Sequence, residues 1–237
     1  MNSSKTQAEL ILWAERNGLV FSDENLLRQA VTHRSLVNEA GSVGQADNQR
    51  LEFLGDAIVD FIVADWLFRR YADAQEGELT GLRAEIVRTQ GLAAYANEIG
   101  LGRVLRLGRG EAANGGRARA ANLCDAFEAL VGALYLDRGL EPTRTWVLRF
   151  LERHTAEIDS QRANKDAKSM LQEYTQAVLR VTPSYVIVSE AGLEHDKTFC
   201  AQVLVGDQVW GEGKGHSKQL AEQAAASAAI ERHHLQA

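Results

Sequence analysis

The sequence has only two prolines and two cysteines among its 237 residues. Cys124 and Cys200 lie far apart in the chain, so they form neither a disulfide framework nor a cysteine-based zinc site. We expect both to be small core residues. Because proline interrupts helices, its scarcity favours helical structure, and helix-favouring residues dominate up to about residue 158. The first two thirds of the chain are therefore predicted to be mostly helical.

Long apolar runs are also missing. No apolar stretch reaches the roughly 20 residues that a membrane-spanning helix needs, and the first residues lack the order of a signal peptide. A soluble cytoplasmic protein without a membrane partner is the expectation. The composition, with 45% hydrophobic and 24% charged residues, fits one large domain or two small ones. The net charge of −6 at first argues against a nucleic-acid partner. It is an average over the whole chain, however, and phosphate binding depends on where the positive charges lie.

Apolar spacing divides the chain into two parts. The first is predicted to be an all-α domain over residues 6–158, in which residues 51–68 are apolar on nearly every face and should form a central buried helix. Further helices are predicted within residues 7–36, 78–100, 120–136 and 142–158. Residues 159–165 begin a stretch without large apolar side chains, which predicts an exposed linker.

The second part, residues 166–236, has an α-β-β-β-α order that is typical of a small α+β domain. Helices are predicted at residues 169–179 and 217–233. Strands rich in valine, isoleucine and aromatic residues are predicted between them, with a tight turn at Gly206 and Asp207. These strands cover residues 184–190, 198–205 and 208–212.

Acidic residues interrupt two of the apolar helices. Glu52 and Asp56 are four positions apart, and Asp125 and Glu128 are three apart, so each pair shares one helix face. Burying an unpaired ionised acid costs several kcal/mol, so such acids are normally paired, protonated or bound to a cation. If the two helices pack together, four carboxylates converge. Oxygen ligands without histidine or cysteine suit Mg²⁺ or Mn²⁺.

Spacing alone leaves a second interpretation of these acids open. Asp125 and Glu128 would then be half exposed, and Glu52 would pair with a nearby arginine, namely Arg50, Arg69 or Arg83. His33 is a single histidine for which a capping role or a satisfied polar position is expected. The residues around it suggest no nucleophilic triad.

Cations in the second part are few but grouped. Lys214 and Lys218 flank the start of the last predicted helix, where free backbone N–H groups and the helix dipole attract phosphate. Gly211, Gly213 and Gly215 are expected to let the backbone approach a phosphate closely there. The alternative is that the two lysines belong to a solvated helix cap.

Two acidic segments of the first part carry a resemblance to a known family. Residues 48–56, NQRLEFLGD, resemble the signature of ribonuclease III, and residues 125–136, DAFEALVGALYL, look like the second acidic motif of that family. The second part resembles a double-stranded-RNA-binding domain through residues 171–174, 194–199 and 213–226. The resemblance covers almost the whole chain in the domain order of bacterial ribonuclease III.

The resemblance implies an Mg²⁺-dependent endoribonuclease, with Mn²⁺ able to substitute, that cuts both strands of duplex RNA. The products would carry 5′-phosphates and staggered 3′ ends, and the substrates would include ribosomal and other structured precursor RNAs. By position, Glu52, Asp56, Asp125 and Glu128 correspond to the metal ligands. Asp56 and Glu128 would be the catalytic pair, closest to hydrolysis.

The resemblance also implies partners. Phe53 lies between the two acids of its helix and corresponds to an aromatic residue that inserts into a second subunit, so a homodimer with one catalytic centre per strand is expected. In the RNA-binding domain, Gln172 and Glu173 on the first helix and the loop at His195 would meet successive minor grooves. The phosphate contacts would come from lysines, namely Lys197, Lys214 and Lys218.

Two positions depart from the family pattern, and two other classes of protein stay as alternatives. Gln49 replaces a usual glutamate, which puts metal occupancy or turnover in question, and Gln219 replaces a common lysine. A catalytically inactive regulator that binds duplex RNA is one alternative, although all four acids are present. A helical metal-carboxylate oxidoreductase is the other, and it would need Glu-x-x-His pairs that neither acidic helix contains.

Overall fold

The computed structural model describes residues 2–40, 46–191 and 197–235. Contacts within the chain divide it after His154 into two compact units. His195 lies outside the described residues. No helix within the described ranges combines the length and the apolar character that crossing a bilayer requires.

The first unit is helical, as predicted, with a 3₁₀ turn at Leu101–Arg103 and one isolated bridge that joins Thr32 to Arg106. Its described helices are α1 (Asn2–Arg16), α2 (Glu24–Ala30), α3 (Arg34–Ala40), α4 (Gln49–Arg70), α5 (Glu76–Val87), α6 (Thr89–Glu98), α7 (Arg109–Ala113), α8 (Ala120–Arg138) and α9 (Leu140–Arg153).

Helices α4 and α8 form the centre of this unit. Helix α8 is buried over most of its length, and its Phe127 stacks with Trp146 of α9 at a ring separation of 5.3 Å. Helix α4 buries one face, which includes Ile62 and Leu67. The helix is central, as predicted, but it is not buried all round, because it also carries an exposed aromatic stripe. This stripe consists of Phe53, Phe61 and Phe68.

Two glycines set the separation between α4 and α8. A Cβ atom added at Gly55 would collide with the backbone of Glu128, and one added at Gly132 would collide with the backbone of Leu51. Because neither glycine has a side chain, the two helix backbones come into direct contact. This contact lies within one to two turns of the acidic residues of both helices.

The second unit has the predicted α-β-β-β-α order. It comprises α10 (Thr155–Tyr174), a π-helical turn (Thr175–Leu179), strands β1 (Ser184–Ala191), β2 (Thr198–Val205) and β3 (Gln208–Gly215), and α11 (Lys218–His233). The strands form an antiparallel sheet in the order β1-β2-β3. Gly206 takes a left-handed conformation in the β2–β3 turn, with φ of 61°, as the hairpin signal indicated.

The segment predicted as a linker is helical. Residues 159–165 lie inside α10, whose later residues Ala167 and Leu171 enter the core of the second unit. The segment is polar, but it contains neither proline nor glycine, so nothing in it interrupts the helix. Contacts within the chain divide it at His154 rather than at residue 158, and the function of residues 159–165 as a linker stays a prediction.

The glycines of β3 have a role other than the predicted one. A Cβ atom added at Gly211, Gly213 or Gly215 would collide with the backbone of α11, near Ala225 and Ala221. These glycines therefore let the alanine-rich helix lie directly on the strand. The sequence-based expectation that they bring backbone close to phosphate is replaced by this packing role.

We expect Gly132→Ala to destabilise the first unit, because the added methyl group collides with a helix backbone that cannot move independently. Overpacking of this kind costs about 1–3 kcal/mol, measurable as a lower free energy of unfolding in denaturant. Gly77→Ala is the matched control, since Gly77 lies exposed in α5 with no atom within 4 Å of an added Cβ. It should leave stability unchanged or raise it by up to about 1 kcal/mol. Equal stability of both variants would contradict the proposed contact.

Candidate active site

Helices α4 and α8 each present two acids beside the glycine contact. Glu52, Asp125 and Glu128 are partly buried, whereas Asp56 is exposed. Asp56 lies on the solvent side of the cluster, and its charge nevertheless acts on Glu128. The other three sit where the packing of two helices has removed part of their hydration.

One turn of α8 brings three possible ligand atoms close together. Among the described residues, a group that can share one ion consists of Cys124, Asp125 and Glu128, whose ligand atoms lie within 4.8 Å of one another. Glu52 and Asp56 face this group from α4 and interact with it electrostatically: Asp56 acts on Glu128, and Asp125 acts on Glu52. The assignment of Glu52 and Asp56 as direct metal ligands stays a prediction.

The electrostatics of the cluster are unfavourable without a cation. Burial, followed by the negative charges of Asp56, Asp125 and Glu52, raises the pKa of Glu128 to about 7. Burial and the charge of Asp125 also raise the pKa of Glu52, and burial raises the pKa of Asp125. Partly desolvated carboxylates that repel one another suit a divalent cation, and their oxygen atoms suit a hard one.

Arginine pairing does not explain these acids. Arg69 pairs with Asp65 at 2.8 Å, on the same helix. The cation whose charge lowers the pKa of both Glu52 and Asp125 is Arg34, an exposed residue at the start of α3. It weakens the repulsion within the cluster without reversing the upward pKa shifts.

His33 lies beside the cluster in the capping role expected for it. Its Nδ1 lies 2.9 Å from Oγ of Ser35, and the backbone N–H of Ser35 donates to the same ring nitrogen. The charge of His33 also lowers the pKa of Asp125, although burial outweighs it. The structure therefore adds His33 and Arg34 to the surroundings of the acids.

Sequence reasoning missed a polar network that supports the start of α8. Nδ2 of Asn122 donates to Oε1 of Glu111 at 2.7 Å and to the carbonyl oxygen of Gly116 at 2.9 Å, and Arg119 also binds Glu111. These bonds fix the turn of α8 that precedes Asp125. The only sign of this network in the sequence is an asparagine within an apolar helix. The structure buries this residue, Asn122, leaving 7% of it exposed.

The residues predicted to bind RNA lie in the second unit. Gln172 and Glu173 are exposed on α10, and Lys214 and Lys218 are exposed on β3 and at the start of α11. Lys197 instead pairs with Glu190 at 2.5 Å, so part of its charge is neutralised. His195 is not among the described residues. The role of each residue in RNA binding stays a prediction.

Comparison with known proteins identifies both units. A family model described as ribonuclease-III-like matches residues 23–154, and the double-stranded RNA binding motif matches residues 167–233. Ribonuclease 3 of Roseiflexus sp. strain RS-1 is 46% identical over 218 residues, which cover 91% of this chain and 92% of that protein. Ribonuclease 3 of Thermobifida fusca is 44% identical over 229 residues, which cover 97% and 94%.

The chain belongs to the ribonuclease III family. The nuclease domain of ribonuclease III from Campylobacter jejuni has a similar structure, with a TM-score of 0.55 and 38% identity over 60% of this chain and 94% of that domain. That domain is described as having a region involved in dimer formation. The resemblance inferred from the acidic motifs and from the second domain is thus confirmed at the level of the family.

One exposed surface of the nuclease domain is unusually apolar. Phe53 is 82% exposed on α4, and Phe61 and Phe68 continue the same stripe. Phe61 and Phe68 also line a cleft of about 520 Å³ between α4 and α5, together with Leu79 and Arg83. Exposed aromatic patches of this kind mark interaction surfaces.

In the absence of divalent cations, stability should fall as pH rises towards and through about 7. Between the ordinary pKa of a glutamate and about 7, the folded chain retains the Glu128 proton that the unfolded chain has already lost. The folded state is therefore favoured at lower pH and loses this contribution when Glu128 ionises. Thermal unfolding in EDTA between pH 5 and pH 8 measures the effect.

Glu128→Gln should flatten this pH dependence, because the amide cannot ionise. Glu152→Gln is the control, since Glu152 lies exposed on α9. Its pH profile should match that of the wild type. If the stability of Glu128→Gln depends on pH in the same way as that of the wild type, the Glu128 carboxyl is not the group that titrates.

Proposed function

We propose that this chain is an endoribonuclease specific for double-stranded RNA that hydrolyses phosphodiesters on both strands. The observation that carries the proposal is the close packing of α4 on α8, which gathers partly desolvated carboxylates at one place in a ribonuclease III domain. A double-stranded RNA binding motif follows in the same chain. Products with 5′-phosphates and staggered 3′ ends are expected, from structured precursor RNAs in the cytoplasm that include ribosomal precursors.

The proposed cation is Mg²⁺, for which Mn²⁺ can substitute. Four carboxylates would hold it, two from α8 and two from α4, namely Asp125, Glu128, Glu52 and Asp56. When bound, the cation supplies charge neutralisation at the phosphate and activation of the attacking water. The raised pKa values of Glu52, Asp125 and Glu128 support this assignment, since a cation at the cluster stabilises the ionised form of all three.

The substrate is proposed to meet both the acids and the polar residues around them. Asp56 and Glu128 are proposed to lie nearest to the reacting phosphate, since Asp56 is open to solvent and its charge acts directly on Glu128. Arg34 is exposed beside Glu52 and Asp125, so it can contact a phosphate oxygen of the RNA. Gln49 stands at the start of α4 and is exposed. Its amide adds no charge to the cluster, in contrast to the usual glutamate.

The second domain is proposed to hold the duplex through its shape. Gln172 and Glu173 would meet a minor groove, as would the loop at His195, and Lys214 and Lys218 would bind the phosphates between successive minor grooves. The exposure of both lysines supports this role. Lys197 is proposed to contribute less than they do, because Glu190 pairs with it.

A homodimer is proposed to bring two catalytic centres to one duplex. The support is the aromatic stripe on α4, in which Phe53 exposes 82% of its surface. Covering Phe53 alone would contribute about 2–3 kcal/mol of hydrophobic free energy. The cleft beside Phe61 and Phe68 provides a socket on the same surface.

An inactive regulator that only binds duplex RNA is not favoured. Such a protein would have no need of the four acids, and each unpaired, partly buried carboxylate lowers the stability of the domain. The retention of Glu52, Asp125 and Glu128 at a destabilising position favours catalysis.

Glu128→Gln should abolish cleavage and preserve RNA binding. The substitution removes one negative charge from the cation site while keeping the size and the shape of the side chain. Loss of a metal ligand should cost more than the 10–100-fold typical of residues that only support a ligand, so we expect a fall of about 100-fold or more. Cleavage of long duplex RNA in Mg²⁺ and a filter-binding assay measure the two properties.

The complementary variant is Lys214→Ala combined with Lys218→Ala. It should weaken binding to all duplex RNAs about equally and lower the salt dependence by roughly two units of slope at most, because two phosphate contacts are lost.

Cleavage at near wild-type rate by the Glu128 variant would refute the carboxylate mechanism. Unchanged binding by the lysine variant would instead place the RNA elsewhere on the domain.

Phe53→Ala should shift the dimer towards monomer, because the largest exposed aromatic group of the stripe is removed. Sedimentation at several protein concentrations measures the association constant, which we expect to fall at least about tenfold for a loss of more than 1.4 kcal/mol. Val20→Ala is the control, since Val20 is 60% exposed in the segment between α1 and α2. It should leave association unchanged, and a matching loss in both variants would argue against a specific role for Phe53.

A further inference from the structure

The dipeptide Asn-Gly occurs twice in the chain, as Asn17-Gly18 and as Asn114-Gly115. Asparagine is a thermolabile residue, because the next backbone nitrogen can attack the carbonyl carbon of its side chain. A following glycine hinders that attack least, since it has no side chain. The two dipeptides share this chemistry but differ in their surroundings. Asn17 is half-buried directly after α1, whereas Asn114 is exposed at the end of α7.

The first dipeptide is held on every side. The side-chain amide of Asn17 donates to a carbonyl oxygen of α1 at 2.8 Å, and its own carbonyl oxygen accepts from Nε1 of Trp146 at 3.0 Å. The N–H of Gly18 donates to the carbonyl oxygen of Glu15 at 3.0 Å. A Cβ atom added at Gly18 would lie 2.2 Å from Nη1 of Arg149. The attacking nitrogen is therefore bonded and the backbone around it is covered.

The second dipeptide is open. The side-chain amide of Asn114 donates to the carbonyl oxygen of Gly110 at 3.0 Å, and its carbonyl oxygen lies 3.4 Å from Nη2 of Arg119. In the part of the chain that the structure describes, the N–H of Gly115 has no backbone acceptor. A Cβ atom added at Gly115 would meet no atom within 4 Å. This turn therefore has space for the backbone rotation that brings the nitrogen of Gly115 to Cγ of Asn114.

We propose that Asn114 is a site of spontaneous deamidation, at which the folded chain forms aspartate and isoaspartate. The N–H of Gly115 loses its proton to a base in the solvent, and the nitrogen attacks Cγ of Asn114 within the same chain. A carbon–nitrogen bond forms, and the side-chain amide leaves as ammonia. Water then opens the resulting succinimide ring at either of its two carbonyl groups. One water is consumed, one ammonia is released, and no electron is transferred.

The modified residue stands in the turn that supports α8. The carbonyl oxygen of Asn114 and the carboxylate of Glu111 both face Arg119, so a new carboxylate at position 114 competes for that guanidinium group. Isoaspartate also adds a methylene group to the main chain ahead of Gly116, whose carbonyl oxygen accepts from Asn122. Deamidation therefore disturbs the start of α8, just before its two acids. The resulting loss of cleavage rests on the proposed function, whereas the modification does not.

Incubation of the full-length protein in a mildly alkaline buffer tests the site directly. Digestion with pepsin in acid, where ring closure is slow, followed by mass spectrometry measures the conversion of each asparagine. Asn114 should convert at least about tenfold faster than Asn17, because ring closure at Asn17 must first break several hydrogen bonds. The rate at Asn114 should rise with pH, since the attacking nitrogen must lose its proton. An enzyme that methylates isoaspartate should label the peptide that contains position 114.

The same protein in denaturant is the matched control. Both dipeptides have the same sequence, so Asn17 and Asn114 should convert about equally fast once the fold is lost. Equal rates in the folded protein would overturn the proposal, as would faster conversion at Asn17. A difference that persists unchanged in denaturant would also overturn it, because the fold would then not be its cause.

The effect on the reaction is measured separately, with Asn114→Gln as the variant. Glutamine keeps the amide, and its extra methylene group disfavours ring closure. Fresh Asn114→Gln should cut duplex RNA at the wild-type rate. On incubation the wild type should lose cleavage in step with the converted fraction, and the variant should not. An equal loss in both would refute the link between position 114 and the start of α8. Conversion at Asn114 in a chain that cuts no RNA in Mg²⁺ would contradict the proposed function and leave the modification site standing.

Discussion

The backbone contact between Gly55 and Gly132 is the constraint on which the candidate active site depends. Only where neither helix carries a side chain can α4 and α8 approach closely enough for acids on both to act on one another. A methyl group at either position would move the helices apart, and carboxylates that share a cation must converge to within a few ångströms. Glycine costs about 1 kcal/mol relative to alanine in a helix interior. The close contact is therefore obtained at the expense of helix propensity.

The RNA-binding domain uses the same device with strand and helix. Gly211, Gly213 and Gly215 present bare backbone to α11, where small residues such as Ala225 complete the contact. The alternation of a strand then sends Lys214 to the opposite face of the sheet. Lys218 begins α11, so the packing of that helix on β3 also fixes the position of this lysine within the domain. In both domains, residues without side chains set the positions of residues with charged ones.

Periodicity and chemistry predicted most of the helices, the strands and the acidic motifs, because each depends on residues close together in the chain. The short helix α7 lies outside every predicted range. Strand β2 occupies the predicted range, Thr198–Val205. What the sequence could not provide depends on packing partners. Polar composition at residues 159–165 indicates exposure equally in a helix and in a linker, and an apolar stripe that contains Phe53 indicates burial equally in a core and in a subunit interface. The exposure of Asp56 likewise depends on where α8 stops covering α4.

The cluster also shows why the site cannot be optimised for stability alone. Carboxylates that helix packing has partly desolvated raise one another's pKa, so without a cation the folded chain either retains a proton at Glu128 or bears uncompensated repulsion. A bound divalent cation removes that conflict, which couples metal binding to folding. Cys124 fits this balance because a neutral thiol donates to Glu128 without adding charge.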